Sequence, residues 1–424
     1  MGERYWIETL GCPKNQVDSD KLEGTLIADG LKRATSPGKA DVIVLNTCAF
    51  IEPAKQESID VALQLSDARK TGARLVLTGC MAERYGSELA EALPEADLVA
   101  GFNEPVYVPA AKGTAVTIGR KPKAPLMDLL NLPRPRSSRP WGYVKIAEGC
   151  DRSCGFCAIP SFRGPQRSRD VQSILDEVAQ LQVREVVLVA QDLASYGKDR
   201  PGEMGAGSIV PLVQQVAAAV DRVRLLYLYP SDLSNELIDV ILSSGVPYFD
   251  LSLQHVSKPL LRRMRRWGDG DRFLNRIHDI RALEPTAAFR SNFIVGYPGE
   301  TEADHDQLLS FVHDAQLDWC GFFPFSREEG TYAADLDGQI DAGLIHERLR
   351  ELTELQDGIT ASRRDDLIDT EIHVLVDEKG VGRSHREAPE IDGVVGVPES
   401  LVVGEFHTVR VVSAQGPDLF AEAV

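Results

Sequence analysis

The sequence predicts an α/β protein in three parts: an N-terminal parallel α/β domain (1–118), a partial (β/α)6 barrel of the TIM type (141–369) entered through a linker (119–140), and a small C-terminal β-barrel (370–424). Three observations predict it. Apolar runs alternate with helically spaced segments over 5–101 and again over 141–330, the pattern of βα units. Five prolines and six basic residues crowd 119–140, the composition of an extended connection. From about 370 the runs become short and are separated by Gly, Pro and Asp, as in small barrels. A chain of 424 residues also exceeds the roughly 100–200 residues of one domain.

In the first domain the strand-like runs are Tyr5–Leu10, Val42–Leu45, Leu75–Leu77 and Leu98–Ala100, alternating with helical segments Val17–Ala28, Ala54–Leu65 and Glu83–Leu93. Cys12, Cys48 and Cys80 each follow one of these runs at the same phase of the repeat. Ligands of parallel sheets sit outside the carboxyl ends of the strands, so three thiols distant in sequence are expected to converge on one rim. The competing reading is three unrelated buried cysteines. The linker's Arg120, Lys121, Lys123, Arg134, Arg136 and Arg139 read as solvated charge. The barrel runs are Tyr143–Ala147, Glu185–Ala190, Val223–Tyr229, Tyr248–Leu253, Ala287–Val295 and Trp319–Phe325, with the chemistry expected on loops at their carboxyl ends. A polar helix over 341–368 precedes the final runs Ile372–Val376, Gly393–Val397 and Thr408–Val412.

Composition narrows the function. With 46 Lys+Arg against 64 Asp+Glu the net charge is −18, which disfavours duplex nucleic acid as a default partner and favours a basic protein. No apolar stretch approaches the roughly 20 residues of a spanning helix. The start, Met1-Gly2-Glu3-Arg4-Tyr5-Trp6, resembles neither a secretory signal nor a myristoylation site, so the expectation is a cytoplasmic protein with no membrane partner. Seven cysteines without an export signal point to reduced thiols used for metal binding or catalysis.

The densest cysteine pattern is Cys150-Asp151-Arg152-Ser153-Cys154-Gly155-Phe156-Cys157, a C-x3-C-x2-C loop directly after the first barrel run. Structural zinc usually takes four protein ligands, whereas three thiolates on a four-iron cube leave one iron open. The loop resembles the signature of radical S-adenosylmethionine enzymes, with Phe156 as its aromatic. With the three-cysteine N-terminal domain and a C-terminal barrel of the TRAM type, the chain is similar to the methylthiotransferases of that superfamily. One branch modifies tRNA adenosine, the other an aspartate of small-subunit ribosomal protein S-twelve. Gly11-Cys12-Pro13-Lys14-Asn15, Asn46-Thr47-Cys48-Ala49-Phe50-Ile51, Leu226-Tyr227-Leu228-Tyr229-Pro230 and Ala388-Pro389-Glu390-Ile391-Asp392-Gly393 resemble the second branch. Independently, residues 371–424 hold ten acidic and four basic residues, a net of −6. A tRNA-gripping barrel is expected to be basic, and an acidic one suits a basic ribosomal protein, so tRNA is the disfavoured partner.

The resemblance implies that Cys150, Cys154 and Cys157 are catalytic and hold a 4Fe-4S cluster whose open iron binds S-adenosylmethionine. It implies a second 4Fe-4S cluster on Cys12, Cys48 and Cys80 that carries the inserted sulfur, and a second S-adenosylmethionine per turnover that methylates it. An electron donor is required, and the substrate is S-twelve, free or in the ribosomal subunit. The radical formed would abstract hydrogen from the aspartate β-carbon, a step that belongs to the cofactor while the protein positions it. Cofactor contacts are expected at Gln191 and Asp192, where a helix N-cap is the equal alternative. They are also expected at Gly296, Pro298 and Gly299, which equally form a tight turn, and at Arg290, which equally forms a structural ion pair. The run Arg262–Arg266 reads as a solvated helix face, and His255 as a packed core residue. The reading from a different class is a non-catalytic, zinc-stabilised scaffold that binds RNA or protein.

Overall fold

In the computed structural model, residues 2–107, 127–201 and 207–424 are described. They form two compact units: the described residues of 1–136, 147–151 and 157–173 in the first, and those of 137–146, 152–156 and 174–424 in the second.

The first unit is built on β1 (Arg4–Thr9), α1 (Pro13–Ala28), β2 (Lys32–Arg33), β3 (Val42–Thr47), α2 (Glu52–Ala68), β4 (Arg74–Gly79), α3 (Cys80–Ala92) and β5 (Leu98–Val99). All five strands are parallel, in the order β2-β1-β3-β4-β5. The alternation of β3 decides the layering: Val42 and Val44 join Leu22 and Leu26 of α1, while Ile43 and Leu45 join Ala62 and Leu65 of α2. The order reverses between β1 and β3, which makes the crevice beyond their carboxyl ends the expected ligand position. The edge strand β2 lay outside the sequence expectation, because it is two exposed basic residues with no apolar period. Residues 108–126, which include Arg120, Lys121 and Lys123, lie outside the described residues. Of the remaining linker cations Arg134 is buried, not solvated: its Nη2 donates to Asp20 Oδ2 at 2.6 Å.

The second unit begins with β6 (Trp141–Lys145). The chain then supplies the first unit with β7 (Ala147–Glu148), α4 (Ile159–Arg163) and β8 (Arg167–Ser168), where β7 and β8 pair antiparallel. There follow α5 (Val171–Leu181), β9 (Glu185–Val189), α6 (Val210–Ala217), β10 (Arg222–Leu225), α7 (Asn235–Ser243), β11 (Tyr248–Gln254), α8 (Lys258–Arg263), α9 (Gly270–Leu283), β12 (Ala288–Val295), α10 (Glu302–Ala315), β13 (Trp319–Pro324) and α11 (Ala342–Asp365). The strands form two parallel arcs, β10-β9-β6 and β11-β12-β13, joined by a parallel bridge between Leu228 and Leu251. This is the partial six-strand barrel that the sequence predicts.

The C-terminal strands β14 (Glu371–Glu378), β15 (Val381–Arg383), β16 (Val395–Gly396), β17 (Phe406–Gln415) and β18 (Asp418–Ala423) close into a barrel around Val374, Val376, Val395, Val409, Val411 and Leu419. Residues 383–393 cover the amino ends of the parallel strands. Tyr143 Oη donates to Pro389 O at 2.8 Å, Trp319 Nε1 to Arg386 O at 2.6 Å and Arg224 Nη1 to His385 O at 2.9 Å. Buried Glu185 accepts from Arg224 Nε at 2.8 Å and Arg383 Nη1 at 3.2 Å, and these cations hold its carboxyl, despite burial, down to about 2. The carboxyl ends of the strands stay available for chemistry.

The acidic excess of the C-terminal barrel is only partly displayed. Glu387 pairs with Arg364 and Asp392 with Arg290, cations from outside the barrel, in buried or nearly buried contacts. The count of −6 therefore overstates the charge this barrel shows to a partner.

Candidate functional site

The first thiol set lies at the switch point of the five-stranded sheet. Cys12 caps α1, with Pro13 opening the helix, and Cys80 is the first residue of α3; helix N-termini favour thiolates. Each follows a glycine with φ +91°. A Cβ on Gly11 would lie 3.0 Å from Cys48 Sγ, and one on Gly79 2.2 Å from Asn46 Oδ1, so only glycine lets these loops approach so closely. Cys48 follows β3, and its backbone N donates to Ser58 Oγ at 3.1 Å.

Asn15 and Arg163 organise this rim. Buried Asn15 donates to Leu10 O at 2.9 Å and Thr47 O at 3.1 Å, tying together the loops after β1 and β3. Arg163 Nη2 donates to Asn15 Oδ1 at 2.9 Å and to Cys80 Sγ at 3.0 Å. Burial pushes the Cys48 thiol up to about 12, with the neighbouring Cys80 and Cys12 adding to the rise. Cys80 is also raised by burial, against the opposing pull of Arg163. Cys12 is held below the usual thiol value, because Lys14, Arg163 and backbone donors outweigh its burial. Three thiols without His or carboxylate, beside a fixed cation and two helix N-termini, form a donor set suited to thiolate-ligated iron–sulfur groups. Among the described residues no three His, Cys, Asp or Glu side chains stand within reach of a single ion.

The second thiol set is the C-x3-C-x2-C loop. Cys150 N donates to Gly164 O at 3.1 Å. In the second unit, Cys154 Sγ accepts from Arg266 Nη1 at 3.3 Å. Gly155 N donates to Met264 O at 2.8 Å, and Gly155 O accepts from Ala333 N at 2.7 Å. Among the described residues no disulfide forms.

Gln191 and Asp192 follow the carboxyl end of β9. Asp192 occupies the N-cap position of a short 3-10 turn, yet its side chain makes no capping bond. It instead accepts from Arg152 Nε at 2.6 Å and Ser195 Oγ at 2.7 Å. Arg152 also pairs with Asp232. The Tyr229 ring lies 4.0 Å from the Arg152 guanidinium and 4.1 Å from that of Arg266. The run Arg262–Arg266 is thus not simply a solvated face: Arg263 pairs with Asp337, Arg265 lies 3.8 Å from the Tyr332 ring, and Arg266 serves Cys154.

Gly296, Pro298 and Gly299 follow the carboxyl end of β12, on the same barrel face as Asp192, in a tight turn. Gly296 N donates to Glu300 Oε2 at 2.6 Å and Gly299 N to Gly338 O at 2.8 Å. Arg290 sits toward the amino end of β12, bonded to Asp250 at 3.4 Å and Asp392 at 3.3 Å. The structure gives it the ion-pair geometry, away from the other expected contacts. The sequence did not reveal the roles of Asn15, Arg152, Arg163 or Arg266. Their nearest signal is position, since Arg152 lies inside the cysteine loop and Arg163 six residues past Cys157.

The fold agrees with comparisons to known proteins. Residues 4–101 match the uncharacterised protein family UPF0004, 144–312 the radical SAM superfamily, and 367–424 the TRAM domain. These matches define a radical S-adenosylmethionine enzyme. The chain is 41% identical to the ribosomal protein uS12 methylthiotransferase RimO of Saccharopolyspora erythraea, over 99% of this chain and 95% of that one. It is 39% identical to that of Cutibacterium acnes (98% and 97%) and 41% to that of Moorella thermoacetica (93% and 93%). The chain belongs to the RimO family of ribosomal protein uS12 methylthiotransferases.

Proposed function

We propose that this transferase adds a methylthio group to the β-carbon of an aspartate of uS12, the S-twelve protein of the small ribosomal subunit. The observation that carries the reading is the pairing, in a member of this family, of a radical SAM cysteine loop with a separate thiol triad at the sheet switch point. Cys150, Cys154 and Cys157 hold one 4Fe-4S cluster, and Cys12, Cys48 and Cys80 hold a second. When bound, these clusters and two S-adenosylmethionine molecules per turnover supply the hydrogen abstraction, the sulfur and the methyl group.

The protein's own groups position and shield. Asp192 fixes Arg152 in the middle of the cysteine loop, and Arg266 donates to Cys154. Gln191, Asp192 and the Gly296–Gly299 turn border the cofactor at the carboxyl face, whereas Arg290 joins the barrel to the segment between β15 and β16. Substrate is taken as free protein or in the subunit, in the cytoplasm, with electrons from a separate donor. No described helix is long and apolar enough to cross a membrane. The tRNA alternative has less support, because the relatives above are all named for uS12.

Two variants test the assignment. Cys154→Ala should abolish S-adenosylmethionine cleavage, and retained cleavage would refute the loop's role. Cys48→Ala should keep cleavage but stop methylthio transfer, and continued product would remove the first triad from the reaction.

A further inference from the structure

The side chain of Arg163 is 3% exposed and forks at the first thiol triad. Its Nη1 donates to Glu148 Oε1 at 2.9 Å and lies 3.4 Å from Asp18 Oδ2. Its Nη2 donates to Cys80 Sγ and Asn15 Oδ1, and its guanidinium lies 4.3 Å from the Phe102 ring. An arginine needed only to neutralise one buried and one partly buried carboxylate would have no cause to aim its second arm at a thiol. The planar fork fixes both arms together, so the position of the Cys80 sulfur is tied to Glu148, two residues ahead of Cys150. All these groups belong to the first compact unit.

We propose that Arg163 is a positioning residue for the first triad: it orients the Cys80 sulfur, sets the reduction potential of the cluster held there, and registers that sulfur against the strand leading into Cys150. The inference rests on the two-cluster reading above. Hydrogen bonds to ligand sulfurs are among the factors that set iron–sulfur potentials. A cationic N–H donor stabilises the extra electron of the reduced state, so losing it should lower the potential.

The test uses the full chain with Cys150→Ala, Cys154→Ala and Cys157→Ala, which leaves only the first triad to hold iron. Iron content and the midpoint potential, followed by electron paramagnetic resonance, are measured for this parent and for parents carrying Arg163→Met or Arg163→Lys. The expected result is a lower midpoint and an altered spectrum in the Met variant, with the Lys variant between it and the parent. Should the Met variant not fold, the Lys variant keeps a charge opposite Glu148 and Asp18 and must still show the downward shift. Identical midpoints and spectra in parent and variant overturn the proposal. A parent that binds no iron would instead overturn the two-cluster reading, so the two failures are distinguishable.

Discussion

Arg152 Nε donates to Asp192 Oδ2 at 2.6 Å, so a side chain from the middle of the Cys150–Cys157 loop is held by the carboxyl end of β9. Asp192→Asn keeps the shape and removes the charge. Displacing a reacting group by about 1 Å can cost about 100-fold in rate, and S-adenosylmethionine cleavage is expected to fall by at least about 10-fold on that scale. Iron content should stay unchanged. Quantifying 5′-deoxyadenosine release beside iron content checks this, and wild-type cleavage would show that the loop needs no such anchor.

Glu185 lies between Arg224 and Arg383, and the latter belongs to β15 of the C-terminal barrel. Glu185→Gln leaves two buried guanidinium groups short of charge, and removing one partner of such a set costs about 3–5 kcal/mol. Denaturant unfolding should show a loss of that order, with earlier proteolysis in 371–424. An unchanged midpoint would mean that the C-terminal strands are held by their apolar packing alone.

His255 is fully buried; its Nδ1 accepts from Ser257 N at 3.0 Å, and its Nε2 has no hydrogen-bond partner among the described residues. Burial holds it down to about 4, with Asp304 pulling up and His305 and Arg348 pushing down. The folded value lies below the unfolded value of about 6.5, so the neutral ring's contribution is full above that pH and is lost as pH falls toward 4, about 3 kcal/mol in all. His385 is also held down to about 4 by burial, so the difference between the parent and His255→Gln isolates the His255 share. The variant should show a flatter decline in stability from pH 6.5 to 4. Parallel curves would place the titration elsewhere.

What the sequence revealed and what it did not separate along a physical line. Periodicity reports the burial of apolar side chains, so the six barrel strands and the phase of Cys12, Cys48 and Cys80 are legible in the sequence. Lys32–Arg33 and Val381–Arg383 carry too few apolar residues to have a period, and both strands were missed. Arginine contacts are fixed by tertiary structure: Arg134 to Asp20, Arg163 to Cys80 and Arg290 to Asp392 join residues more than 80 apart. Local spacing carries no trace of such pairs. For the same reason the charge count of the C-terminal barrel has the right sign but overstates the size, since counting cannot see that Glu387 and Asp392 are paired with Arg364 and Arg290.

The most direct measurement is the intact mass of ribosomal protein uS12 from cells with and without this gene, with bulk tRNA nucleosides digested in parallel. The account predicts that without the gene uS12 loses the mass of one methylthio group in place of hydrogen, while the nucleosides are unchanged. An unchanged uS12 together with the disappearance of a methylthio-adenosine would contradict it.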